Sequence, residues 1–144
     1  MKTATLPPGL TILAQPGVAE IDALADRGIR SVIGNRPDGE SPDQTEWFAL
    51  KAAATKRGME AVHIPVVASQ ISEDDIAAFR KALENLPKPI AAFCRSGMRS
   101  TLLWALVNQA GLSVEERLRT AAQEGFDLEP FRALLNRDTS YAQS

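Results

Sequence analysis

Cysteine and histidine are nearly absent, with one of each in 144 residues. A lone cysteine rules out an internal disulfide and any metal site that needs two or more thiolates. A lone histidine rules out a His-rich site. Any thiol chemistry therefore runs through Cys94, and an oxidised or loaded Cys94 needs an external molecule to resolve it. Charge is not concentrated either: the formal net charge is −2, and no block of one sign occurs. That balance argues against nucleic acid or an anionic membrane as the main partner. No apolar run reaches membrane-spanning length. The first eight residues hold one lysine and two prolines and do not resemble a secretory signal, so a cytoplasmic location is expected. Repeats are lacking. The only biased stretch is the polar segment Asp138–Ser144, expected to be a tail behind a single domain of residues 1–137.

What is present alternates short apolar runs with helical patterns, as a mainly parallel α/β sheet of four to five strands flanked by helices requires. Strands are expected at Leu10–Ala14, Arg30–Gly34, Glu60–Val66 and Pro89–Phe93. Val18, Ile21, Leu24 and Ala25 form one apolar helical stripe that Gly28 stops, and Ile76, Phe79, Leu83 and Leu86 form another. Ser41-Pro42-Asp43-Gln44 predicts the start of a helix running to about Arg57. Ser72-Glu73-Asp74-Asp75 and Ser113-Val114-Glu115-Glu116 predict two more starts. Thr101–Ala110 is nearly all apolar and predicts a buried helix. A short last helix is expected after Pro130.

The chemistry concentrates in Cys94-Arg95-Ser96-Gly97-Met98-Arg99-Ser100, between an expected strand and an expected helix. Backbone N–H groups and the helix dipole at such a junction favour an anion, and the thiolate is the reactive form of cysteine. Ser96, Gly97 and Met98 are expected to offer mainly N–H groups, with Gly97 letting the loop curl. An arginine at a helix N-terminus opposes the dipole unless an anion pairs with it, so Arg99 is read as an anion ligand. Arg95 either flanks the pocket or points to water. Ser100 either donates to the thiolate, caps the helix, or does both. In an open α/β sheet, ligands sit beyond the carboxyl ends of the strands. That brings the loops Asn35–Glu40 and Val67–Ile71 towards Cys94. Arg36 is a candidate second anion contact. Asp38 is either an ordinary turn residue or a catalytic acid. His63 is expected to be a hydrogen-bonded structural residue, and Trp47 and Trp104 are expected in the core.

The Cys94–Ser100 loop resembles two related patterns. One is the rhodanese loop, with four residues between cysteine and arginine as here. The other is the tyrosine and dual-specificity phosphatase loop, with five. The Gly-Gly turn and tryptophan that usually follow in rhodaneses are missing. The wider chain, from about Leu10 to Leu135, is similar to the bacterial phosphatase-like domain of beta-lactamase-hydrolase-like proteins, also described as a sulfur transferase. Gln15-Pro16, Ser31–Glu40, His63-Ile64-Pro65-Val66, the cysteine loop and Gly125-Phe126-Asp127-Leu128 carry that resemblance. It implies a dual-specificity-phosphatase-like fold with Cys94 and Arg99 as catalytic groups. Members of that family are often fused to sulfide- or persulfide-oxidising domains, which makes a sulfide-oxidising enzyme a candidate partner.

The family of dual-specificity phosphatases usually places an aspartate acid after an Ile-Pro-Val strand end. Here Val67-Ala68-Ser69-Gln70 holds none. Leaving oxygens gain from protonation, whereas sulfite leaves without it. The first expectation is therefore sulfur transfer from thiosulfate or a glutathione persulfide to an external thiol, through a Cys94 persulfide and without metal or organic cofactor. The alternatives are a phosphatase with a Cys94 phosphocysteine intermediate and Asp38 as acid, and a non-catalytic anion or phosphopeptide binding module.

Overall fold

The computed structural model describes residues 1–143. Five strands form one sheet: β1 (Ala4–Leu6), β2 (Leu10–Leu13), β3 (Ser31–Gly34), β4 (Glu60–His63) and β5 (Ile90–Phe93), in the order β1-β2-β5-β3-β4. β2, β5, β3 and β4 run parallel, and β1 pairs antiparallel with β2. The helices are α1 (Val18–Asp26), α2 (Trp47–Lys56), α3 (Glu73–Asn85), α4 (Met98–Val107), α5 (Val114–Gln123) and α6 (Arg132–Gln143).

Side chains alternate across each strand, so the sheet supplies two cores. Leu13, Val32, Ala91 and Phe93 face Ile21 and Leu24 of α1 and Leu50 and Ala54 of α2. Ile12, Ile33, Ile90 and Ala92 face the layer of α3 to α6, with Phe79, Leu103, Leu118 and Leu135. A sheet buried on both faces explains why β3 and β5 read as unbroken apolar runs. It also leaves the carboxyl edge of the four parallel strands as the place where loops meet.

Several expectations shift. β1, ahead of Pro7-Pro8, was not expected. A turn through Pro7-Pro8 makes it a hairpin with β2, and Trp104 Nε1 fastens that turn by donating to the Pro7 carbonyl at 2.6 Å. β4 stops at His63 rather than Val66, because β3 ends opposite it at Gly34. Val66 N–H then bonds the Asn35 carbonyl beyond the strand pair. The predicted helix start at Ser41 is wrong: α2 begins at Trp47. Gln44 accepts from Glu40 N–H at 3.2 Å and donates to the Pro37 carbonyl at 2.8 Å, so the apparent capping residues fold back into the loop. The boxes at Ser72 and Ser113 form as expected, each hydroxyl accepting the N–H three residues on at 3.1 Å. Val18 lies at the end of its stripe and is 45% exposed. α6 is longer than the short helix expected and takes in Asp138–Gln143 of the polar segment; Ser144 lies outside the described residues. No helix among the described residues is long and apolar enough to cross a membrane.

Candidate active site

Cys94 follows β5 directly, buried at the base of the loop that enters α4. Its Sγ does not sit in hydrocarbon. Gly97 N–H donates to it at 3.1 Å and Arg99 N–H at 3.3 Å. Gly97 makes that curl possible. Its φ is +99°, and a Cβ there would lie 3.0 Å from both Ile12 and Phe126. It also serves as the N-cap of α4 with no side-chain cap bond of its own; Ser96 Oγ accepts Met98 N–H at 3.3 Å, and the Arg99 N–H is left to the sulfur.

Arg99 is held by an acid that the sequence reading did not single out. Glu40 accepts from Arg99 Nη1 at 2.8 Å and Nη2 at 2.9 Å, and the Val66 carbonyl takes the other Nη1 hydrogen at 3.0 Å. A guanidinium has five N–H groups. Among the described residues, no oxygen occupies Nε or the second Nη2 hydrogen, and the Cys94 sulfur is the guanidinium's remaining side-chain partner. Those two lie on one edge and form a second fork, suited to two oxygens of an anion. Glu40 Oε1 also accepts from Arg36 Nε at 2.9 Å. The Arg99 hydrogen bonds, and then Arg36, hold the Glu40 carboxyl well below the usual carboxylate range, at about 2, against the opposing effect of burial. Glu40 in turn raises the pKa of Arg99, and the Cys94 charge adds to that. The signal for Glu40 was an acid four residues after Arg36, in the loop beyond the strand beside β5.

Asn35 was also missed. Buried at the end of β3, it donates from Nδ2 to the Ile64 carbonyl at 2.9 Å and takes the Ser100 hydroxyl on Oδ1 at 2.8 Å. Its own N–H reaches the Phe93 carbonyl at 2.8 Å. Asn35 thus bolts the ends of β4 and β5 to the first turn of α4. Ser100 is corrected accordingly: its proton goes to Asn35 rather than to sulfur, and Gly97 is the cap.

Asp38 reaches the start of α2. Its Oδ1 accepts Trp47 N–H at 2.9 Å and so closes the N-terminus of α2. His63 is structural, its Nε2 2.9 Å from the Arg36 carbonyl and its ring stacked on Trp47 at 4.9 Å. Trp47 lies over Gly34, where a Cβ would come within 2.6 Å of the indole. Ser96 and Met98 sit on the other flank, lining a cavity of about 620 Å³ with Phe126 and Ile12. Arg36 is buried behind the loop and Arg95 is exposed beside it. Both line a separate, polar cavity of about 400 Å³. The structure therefore gathers Cys94, Gly97, Arg99 and Glu40 around one edge, places Arg36 and Arg95 in the lining of the polar cavity beside it, and gives Asp38 and Ser100 partners within the protein, Trp47 N–H and Asn35 Oδ1.

With that geometry established, similarity to known proteins becomes informative. Residues 2–112 match the model of the beta-lactamase hydrolase-like protein, phosphatase-like domain. A beta-lactamase hydrolase-like protein of Xylella fastidiosa (strain Temecula1 / ATCC 700964) is 36% identical over 130 residues, 89% of this chain and 30% of that protein. The chain thus spans about a third of the curated relatives it matches. A proposed phosphatase from Neisseria meningitidis Z2491 superposes with a TM-score of 0.82 at 34% identity, covering 90% of this chain and 92% of that one. Tk-PTP in its active form has a TM-score of 0.70 at 19% identity over 90% and 89% of the two chains, a likeness of fold alone.

Proposed function

We propose that this chain, which belongs to the family of the beta-lactamase hydrolase-like protein phosphatase-like domain, is a cysteine-dependent phosphatase acting on phosphate monoesters. One observation carries the reading: a sulfur that takes two backbone N–H bonds, beside a guanidinium whose end-on fork is fixed by Glu40 and whose side-on fork is left to the sulfur and its ligand. Such a cradle matches a tetrahedral oxyanion seated on the sulfur. The description of the family and the name of the structural neighbour from Neisseria meningitidis support phosphate over other anions.

In the first step the Cys94 thiolate forms an S–P bond as the ester P–O bond breaks, and the leaving oxygen takes a proton from solvent. In the second, water attacks phosphorus, the S–P bond breaks, inorganic phosphate leaves and the thiolate is restored. Arg99 and the loop N–H groups meet the charge on the phosphoryl oxygens. With no enzyme acid in the Ala68–Gln70 turn, aryl esters, whose leaving groups are weak bases, are the favoured class.

The same lack of an acid supports sulfur transfer as a second reading. Asp38 caps α2, and a sulfite leaving group needs no proton. One experiment separates the two. Purified chain is mixed with an aryl phosphate, or with thiosulfate, and read by turnover and by intact mass. Steady release of phosphate, abolished in Cys94→Ser, supports the phosphatase. A mass gain of one sulfur atom on Cys94, with no phosphate released, overturns it in favour of the sulfurtransferase.

A further inference from the structure

The polar cavity beside the cysteine loop deepens the reading above and rests on it. Its volume is about 400 Å³, and its lining includes Gln15, Arg36, Ser41, Asp43, Thr45 and Arg95. Arg36 is only 6% exposed, yet it uses few of its donors. Nε goes to Glu40, and Nη1 reaches Gln15 Oε1 at 3.4 Å. Among the described residues, no hydrogen bond occupies its Nη2. That nitrogen is not sealed in the protein either: among the described residues the fully buried side-chain polar atom without a partner is Thr101 Oγ1, which lies outside this cavity's lining. A buried, immobilised guanidinium thus presents free N–H groups to the cavity. Arg95 adds a second cation, exposed and with no side-chain bond among the described residues. Its backbone is fixed by Gln15 N–H, which donates to the Arg95 carbonyl at 3.2 Å.

This cavity adjoins the cradle. Arg95 is the residue after Cys94, and Arg36 and Arg99 both bond Glu40 Oε1 at 2.9 Å. Asp43 opposes the arginines, although the Ser41 hydroxyl donates to it at 2.5 Å. With an acid in the lining, a free anion gains little here. An anion tethered to a group already in the cradle gains through its effective concentration.

We propose that the cavity is a second anion subsite, and that the substrate carries a further anionic group, carboxylate or phosphate, linked to the phosphate that reacts at Cys94. Binding tests this without requiring turnover. Methylphosphonate is compared by calorimetry with ethane-, propane- and butane-bisphosphonate and with phosphonocarboxylates of the same lengths, on the native chain and on Arg95→Gln. The expected result is that at least one bifunctional probe binds tenfold or more tighter than methylphosphonate. Arg95→Gln should remove most of that advantage while changing methylphosphonate affinity less than threefold. A gain in either series supports the subsite and identifies the second group. Equal affinity of all probes, or an equal loss for both kinds in Arg95→Gln, overturns it. Failure to turn over aryl phosphates would sink the phosphatase reading and the substrate assigned with it, while the probe comparison would still decide whether the cavity is an anion subsite.

Discussion

Glu40 holds Arg99 with both carboxylate oxygens and Arg36 with one, so a single side chain sets the direction of two cations. Glu40→Gln keeps the shape but turns one acceptor oxygen into a donor facing a cation. The expected outcome is a kcat about 10 to 100 times lower, the loss of roughly 1.4 to 2.7 kcal/mol of transition-state stabilisation, with circular dichroism unchanged. Glu40 titrates at about 2 in the fold, against an ordinary 4.5. Its ionised form therefore contributes stability in full above 4.5, and that contribution is lost as pH falls towards 2. Thermal midpoints of native protein and Glu40→Gln should accordingly differ at neutral pH and converge across that window; a constant offset would show that the Glu40 charge is irrelevant. Asp38 makes the opposite case. As a cap it should tolerate Asp38→Asn with kcat within about twofold, while Asp38→Ala loses about 1 kcal/mol of stability. A large fall in kcat for Asp38→Asn, with stability intact, would restore the acid role. The cysteine and its arginine were legible because their loop is contiguous. Glu40 was not, since its partner Arg99 lies far along the chain and the pairing exists only after β3 and β5 are side by side.

At the scale of elements, the entrance of α4 is the decisive feature. α1, α3 and α5 each begin with a capping side chain or an acid in the first turn. α4 begins on a glycine with φ of +99° and has neither; Ser96 Oγ takes Met98 N–H, and the Arg99 N–H and the dipole are left to the sulfur and its ligand. Gly97→Ala would force a side chain into a left-handed conformation and press a Cβ against Ile12 and Phe126. We expect a loss of about 1–3 kcal/mol in stability. We also expect at least a tenfold fall in kcat/KM for an aryl phosphate; native-like activity would mean the loop closes without the positive φ. Three serine-led segments looked like equivalent helix starts, and two were. Ser72 and Ser113 have only their own helix to bond. Ser41 lies within reach of Asp43, and Gln44 beside it finds the Pro37 carbonyl. Local pattern cannot rank those partners, because the competing groups are arranged by the way the whole loop crosses the sheet edge.

Across the whole molecule, the alternation of apolar runs and helical stripes made the sheet and its two helical layers readable. The added hairpin strand was not, because its evidence is a tertiary bond from Trp104 to the turn at Pro7. The same topology makes the site a junction of four loops. Gln15 follows β2, Asn35 through Glu40 follow β3, Ile64 and Val66 follow β4, and Cys94 follows β5. They are joined by the bonds of Gln15 to Arg95, Asn35 to Ile64, and Arg99 to Val66 and Glu40. An oxyanion seated there ties elements that are distant in sequence, and it finds no such site in the unfolded chain. Binding must then stabilise the entire fold, by about 2.7 kcal/mol when the anion is present at a hundred times its dissociation constant. For a domain of this size that corresponds to a rise of several degrees in the unfolding midpoint. Inorganic phosphate should produce the rise in native protein and in Cys94→Ser, where the cradle survives. It should fail in Arg99→Ala, where the fork is gone. Equal shifts in all three would mean that phosphate acts on the general surface, and that the four loops do not converge on an anion.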